Sequence, residues 1–156
     1  MGALSAELRE FLDSHRVGVL ATPSPDGKPR QSLVYFTREG DRLLISTLID
    51  RLKARDVRRT GWASLCVMGH EPPYPSATFS GPAEILTENI GAATATVMQA
   101  ITHAAEPPEP MSDEALAEVG RVILAIKHRP RQSRQLHPDC HRDRRETPMT
   151  GTTEIT

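Results

Sequence analysis

The stretch LLISTLIDRLKARDVRRTGWASL, residues 43–65, runs from a predicted strand into a short basic helix and then into another strand. Leu43 and Ile45 alternate with Leu44 and Ser46, which predicts a strand that stops at two adjacent hydroxyls, Ser46 and Thr47. Five cationic residues follow within nine positions: Arg51, Lys53, Arg55, Arg58 and Arg59. Strand end, hydroxyls and cations thus come together in one short segment.

The basic segment has the features of a helix start. Asp50 is the predicted N-cap, with Leu52 and Val57 facing inward. Hydroxyls and first-turn amides donate hydrogen bonds, and Arg51 and Lys53 supply positive charge, so the segment predicts an anion site. A solvated basic helix face is the alternative, because that is the usual role of a charge run. The hydroxyls directly before the run favour the anion site, and with it a phosphorylated cofactor or substrate.

Composition narrows the class of protein. The chain has 156 residues, 19 basic and 20 acidic side chains, and a formal net charge of −1. This balance argues against binding to nucleic acid or to a membrane surface, both of which depend on excess positive charge.

No apolar run approaches the ~20 residues of a membrane span, and the N-terminal residues lack the apolar core of a signal peptide. Cys66 and Cys140 lie in different surroundings, which predicts no disulfide, and we expect a cytoplasmic protein.

Hydrophobic periodicity predicts six strands and four helices. The strands cover residues 16–22, 30–37, 42–47, 62–68, 76–86 and 119–126. Besides the basic helix, helices are expected at 5–15, at 89–105 and from Ser112 onward. Turn sequences such as PSPDGKP join neighbouring strands as hairpins. The pattern therefore predicts a mainly β fold, an antiparallel barrel or sheet with helices at its ends.

The end of the chain differs in composition. Residues 1–127 are expected to form one domain, and residues 128–156 a polar, disordered tail with few apolar residues to bury. The tail contains the sequence HPDCH at 137–141. We expect it to bind metal adventitiously or not at all, so no metal site is predicted. Within the domain we expect Cys66 to be a buried small side chain. Trp62 is expected to pack in the core, and the alternative is that it faces a cofactor.

Three segments in this order resemble one family: GVLATPSPDGKPRQSLVYF, LLISTLIDRLKARDVRRTG and ATFSGPAEIL. They are similar to the pyridoxamine-5′-phosphate-oxidase-like split β-barrel proteins, in particular the oxidoreductases that use the deazaflavin coenzyme F420, or FMN. The resemblance spans residues 8–126. It implies a six-stranded antiparallel split barrel that forms a homodimer, with the cofactor in a groove between subunits.

The resemblance also implies roles for individual residues. The cofactor phosphate would be held by Ser46, Thr47, Arg51 and Lys53. The ring system would lie along a strand and meet it partly through backbone groups, at Gln31, Ser32 and Val34. Contacts from the second subunit would come from Tyr74 and Ser76. The remaining cations of the basic helix would hold the helix or steer a polyglutamate tail: Arg55, Arg58 and Arg59.

Two departures from the family pattern limit what is carried over. Ile126 is followed by the polar sequence KHRPRQSRQL, where the family usually continues with apolar residues. The Arg-x-His substrate clamp of the larger pyridoxamine-phosphate oxidases is not reproduced in a folded context. Oxidation of vitamin B6 compounds is therefore not the expected activity.

The expected function is that of an oxidoreductase with F420 as first choice of cofactor, or FMN, and a small conjugated or quinone-like substrate for hydride transfer. Since the cofactor carries the chemistry, no catalytic residue is predicted. An apolar substrate pocket is expected near Trp62, Tyr74 and Phe79. One alternative is a non-catalytic protein that carries flavin, F420 or haem. The other is nucleic-acid binding through the basic helix, which lacks aromatic residues for stacking.

Overall fold

A computed structural model describes residues 4–128 of the chain. Within these residues there are four helices and seven strands. In chain order they are α1 Ala6–Asp13, β1 Val17–Pro23, β2 Pro29–Tyr35, β3 Thr37–Glu39, β4 Arg42–Leu48, α2 Leu52–Thr60, β5 Trp62–Met68, β6 Ser76–Leu86, α3 Gly91–Thr102, α4 Asp113–Glu118 and β7 Arg121–Lys127.

The strands form one antiparallel sheet in the order β2-β1-β5-β6-β7-β4-β3. The sheet curls into a half-barrel, and its concave face encloses the main core. The side chains at the centre of this core are fully buried: Leu20, Leu43, Leu65, Phe79 and Ile126. Alternate residues of each strand face this core, as the period of two in the sequence predicts.

The predicted mainly β, antiparallel split-barrel architecture with flanking helices is confirmed, but the predicted number of six strands is wrong. The seventh strand is β3, which pairs with the start of β4 through Thr37 and Leu44. The chain leaves β2 at Phe36, which is buried in the core. It then turns back at Gly40, whose φ of +59° suits glycine, so a segment expected to be only a turn also forms a short strand.

Helices cover part of the convex face. On α3 and α4, Ile90 and Leu116 pack with Leu44, Ile123 and Ala125 of β4 and β7 in a second buried cluster. The helix α2 packs against β1 and β6 and closes one end of the half-barrel. Apart from contacts between α3 and β2, these helices leave much of the convex face of β1, β2 and β5 exposed.

The uncovered face is apolar. Leu33 is 72% exposed and Met68 57% exposed, and Val19 pairs with both Leu33 and Cys66 across the sheet. The expectation that Cys66 is a core residue is wrong, because Cys66 alternates with buried residues of β5 and so faces outward. Trp62, on the same side of β5, is also exposed and does not belong to the core.

Two other predictions concern the C-terminal tail and the absence of a membrane-spanning segment. Residues 129–156, with the HPDCH sequence, lie outside the described residues. Within residues 4–128, no helix is long and apolar enough to cross a membrane.

Candidate cofactor-binding site

The candidate site lies at the junction between the end of β4 and the start of α2, which we call the β4–α2 corner. The backbone N–H of Arg51 donates to the carbonyl of Leu48 over 3.1 Å, which closes a tight turn between strand and helix. Because this turn includes Asp50, the N-cap of α2 is Arg51 and not Asp50 as predicted. Arg51 makes no side-chain capping bond. Within residues 4–128 the first amides of α2 therefore lack a side-chain acceptor, which leaves them available to an anion at this helix N-terminus.

Two cations at this corner have no ion-pair partner within the described residues. Among residues 4–128, neither Arg51 nor Lys53 forms an ion pair, whereas Arg59 of the same helix pairs with Asp56 at 3.3 Å. Desolvation, together with the charge of Arg51, lowers the pKa of Lys53 below its ordinary 10.5. An anion bound here would relieve the repulsion between the two cations.

The two predicted hydroxyls lie on opposite faces of β4. Thr47 is buried on the concave side with Leu43 and Ile45. Ser46 lies on the convex side, and its Oγ atom is buried without a hydrogen-bond partner among the described residues. Since a buried hydroxyl normally has a partner, Ser46 is the residue whose side chain fits a ligand group. Thr47 is left with its backbone groups for such a contact.

A third unpaired cation at the corner was not predicted. Arg121, the first residue of β7, pairs in register with Leu48 at the end of β4. It lies on the same face as Ser46, at the diagonal position that long side chains reach. Arg121 also forms no ion pair within the described part of the chain. No local sequence signal identifies it, because only the β4–β7 register brings it to the corner.

A buried carboxylate fixes α2 in place. Asp56 is 2% exposed and lies one helical turn after Lys53. Its carboxylate accepts hydrogen bonds from Thr22 Oγ1 at 3.0 Å, Arg30 Nη1 at 3.1 Å and Arg59 Nη2 at 3.3 Å. This network joins α2 to β1 and β2, so it holds the cationic start of α2 in one orientation. In the sequence Asp56 is only one acid within a basic run.

The three β2 residues are placed differently from one another. Gln31 is exposed on the convex face, Ser32 is half-buried, and Val34 is buried in the core. In the described part of the chain β2 is an edge strand of the sheet, so part of its backbone N–H and C=O groups has no strand partner there. These backbone groups are free to contact a ring system, in keeping with the backbone role expected for Val34.

Tyr74 and Ser76 lie far from the start of α2 within one chain. Ser76 begins β6, whereas Ala83 of the same strand bonds to Gly61 at the end of α2. Seven residues of strand separate them, or about 23 Å. Tyr74 lies in the loop before β6, at the end of the sheet remote from α2.

The expected substrate pocket near Trp62, Tyr74 and Phe79 is not formed in the described chain. Phe79 is fully buried in the core. Trp62 and Tyr74 lie at opposite ends of β5, since one begins the strand and the other follows it in the loop. The length of β5 separates Trp62 from Tyr74, and Phe79 faces the core, away from both exposed aromatic residues.

Comparison with known proteins agrees with this architecture. The family model described as pyridoxamine 5′-phosphate oxidase matches residues 4–126. The chain therefore belongs to the pyridoxamine 5′-phosphate oxidase family. No curated protein matches the sequence.

Solved structures of similar proteins differ in what they bind. A conserved hypothetical protein from Mycobacterium tuberculosis is 26% identical, with a TM-score of 0.68 over 86% of this chain and 85% of that one. An F420 reductase is 23% identical, with a TM-score of 0.62 over 84% and 96%. A FAD-binding protein from Mesorhizobium loti is 25% identical, with a TM-score of 0.59 over 82% and 92%. Haem-binding proteins share the fold as well.

Proposed function

We propose that the protein is an oxidoreductase that binds F420, or FMN as second choice, and transfers hydride to or from a small conjugated or quinone-like compound. The observation that carries the proposal is the β4–α2 corner. There, Arg51, Lys53 and Arg121, which form no ion pair within residues 4–128, come together with Ser46, whose hydroxyl has no hydrogen-bond partner among the same residues. Such a set matches the oxygen atoms and charge of a phosphate ester.

The chain's residues would bind and orient the cofactor. Arg51, Lys53 and Arg121 would neutralise the phosphate, while the uncapped amides of α2 and Ser46 Oγ would donate hydrogen bonds to it. The edge of β2, at Gln31, Ser32 and Val34, would support the ring system. When bound, such a cofactor supplies the hydride chemistry itself, so the protein needs no nucleophile or acid–base triad.

We further propose that the protein acts as a cytoplasmic homodimer. The uncovered face of β1, β2 and β5 supports this, because exposed apolar rows such as Leu33, Val19 and Met68 are typical of interaction surfaces. A second copy packed there would cover these apolar side chains in both subunits. In the family arrangement it would also bring the partner's loop, with Tyr74 and Ser76, towards the cofactor groove.

The second candidate is a carrier of the same fold that binds flavin, F420 or haem without turnover. The three cations of the β4–α2 corner also favour this candidate, because Arg51, Lys53 and Arg121 could bind the propionate carboxylates of haem. Turnover separates the two candidates. A carrier would bind its ligand but would not pass hydride to an added quinone.

Fluorescence titration with F420 and FMN tests the proposal. Riboflavin serves as the control, because it has the ring system of FMN without the phosphate. Saturable binding of F420 or FMN, with much weaker binding of riboflavin, is expected. Addition of menadione should then accelerate oxidation of the reduced cofactor. Binding without turnover would favour the carrier, and the absence of binding to both cofactors would contradict the proposal.

A further inference from the structure

A cavity lies along α3. Its volume is about 460 Å³, within the range of small-molecule sites. One wall is a stripe of α3 that includes Ala95 and Met98, and the opposite wall is the segment of residues 104–111. None of the residues predicted to bind the cofactor lines this cavity. It is therefore a separate candidate site.

The walls of the cavity are held at both ends. Gln99 Nε2 donates to the carbonyls of Ala104 and Ala105, at 3.3 and 3.0 Å. At the far end, the carboxylate of Asp113 accepts the backbone N–H groups of Asn89 and Ile90 at 2.6 and 3.1 Å. These bonds fix the segment against both ends of α3, so the cavity exists before any ligand enters.

The lining combines an apolar body with negative charge. Met98, Met111 and Pro108 offer apolar and adaptable contacts. Glu106 and Glu109 also line the cavity, and neither forms an ion pair within residues 4–128. A ligand that suits both features has a hydrophobic body and a cationic group.

A buried hydroxyl gives an independent indication of a ligand. Thr94, another lining residue, is 7% exposed, and its Oγ1 atom has no hydrogen-bond partner among the described residues. In helices such a hydroxyl commonly bonds to the carbonyl four residues earlier, as Thr96 Oγ1 does to Ala92 at 3.0 Å. Thr94 does not, so a buried polar group without a partner among the described residues lies in the wall of the cavity.

We propose that this cavity binds a small lipophilic amine, with the hydrophobic body between Met98 and Met111 and the protonated nitrogen near Glu106 and Glu109. The site goes beyond the proposed function, because it uses no residue of the β4–α2 corner. A carboxylate of the same size would meet the two glutamates with like charge. Selectivity for cation over anion is therefore the property that defines the site.

Isothermal titration with two matched probes tests the proposal: 2-naphthylmethylammonium and 2-naphthylacetate. The cation is expected to bind about tenfold more tightly than the anion, from two exposed charge contacts. In the E106Q/E109Q variant this preference should fall to less than about twofold. The matched control, E88Q/E118Q, removes two exposed acids outside the cavity and should keep the preference.

A second variant tests the position of the apolar body. Met98 is half-buried, and Met98→Trp should fill the cavity and abolish binding of both probes, while FMN or F420 titration stays unchanged. Binding of neither probe to the wild type, equal binding of both, or a preference that survives E106Q/E109Q would overturn the proposal. The cofactor titration reports on the proposed function separately, so the two proposals can fail independently.

Discussion

Arg30 Nη1 lies 3.1 Å from Oδ2 of Asp56, and this pair ties the edge strand β2 to the helix that carries Arg51 and Lys53. The Arg30 side chain is partly exposed, whereas the Asp56 carboxylate is almost completely buried. The two elements expected to contact opposite ends of a cofactor are thus joined by one buried carboxylate. Disturbing Asp56 should affect both stability and the shape of the site.

Asp56→Ala is expected to lower the free energy of unfolding by about 3 kcal/mol. The substitution leaves the buried ends of Thr22 and Arg30 without their acceptor, and breaking such a network is costly. Urea denaturation measures the change. Glu88→Ala, which removes an exposed and unpaired acid, is the control and should shift the free energy by less than about 0.5 kcal/mol. A similar small shift for Asp56→Ala would show that the network does not hold α2.

Arg121→Gln should weaken FMN binding about tenfold, the value of one charge-assisted contact. Riboflavin binding should stay unchanged, because Arg121 is expected to contact the phosphate alone. Fluorescence titration with both ligands measures the difference. Arg16→Gln removes an exposed arginine that directly precedes β1 and forms no ion pair within residues 4–128, and it should leave both affinities unchanged. Equal losses for FMN and riboflavin would remove Arg121 from the phosphate site.

The affinity for FMN should be highest at intermediate pH and lower at both acidic and alkaline pH. It should rise as the phosphate takes its second charge near pH ~6. At high pH it should fall, because the free protein's Lys53 has a lowered pKa and a bound anion raises it again. Binding is therefore strongest below the pKa of Lys53 in the free protein and is lost as pH rises through it.

Lys53→Arg isolates the alkaline change. Arginine keeps its charge throughout the accessible range, so the variant should retain affinity at high pH where the wild type loses it. Titrations at a series of pH values compare the two proteins. An alkaline loss of the same size in both would assign the effect to another group.

The homodimer proposal predicts that Leu33→Glu gives a monomer. A charge at this highly exposed apolar position would have to be buried in the interface, which is costly. Light scattering coupled to gel filtration measures the mass. Val119→Glu is the matched control, because Val119 is an exposed apolar residue at the end of α4 and away from the proposed interface. A wild type that is already monomeric at micromolar concentration would contradict the proposal.

Local features of the fold were predictable from sequence, and long-range ones were not. The strands follow from alternation, and the turn at Asp26-Gly27 from turn chemistry, since both depend on neighbouring residues. The roles of Asp56 and Arg121 depend on which elements pack together, and nothing near them in the sequence signals this. The adjacency of Ser46 and Thr47 suggested a hydroxyl pair, but the strand period places them on opposite faces. The short strand β3 was missed because it is only three residues long and ends in turn residues.

The most direct test of the proposed phosphate site compares the wild type with the Arg51→Ala, Lys53→Ala double variant. The quantity measured is the dissociation constant of F420, or of FMN if FMN binds more tightly. The variant should lose at least about 100-fold in affinity through two charge-assisted contacts. Its circular dichroism spectrum should stay unchanged. The Arg16→Ala, Lys28→Ala double variant removes the same charge from exposed positions and should bind within about threefold of wild type. Equal affinities for the folded β4–α2 variant and the wild type would contradict the account.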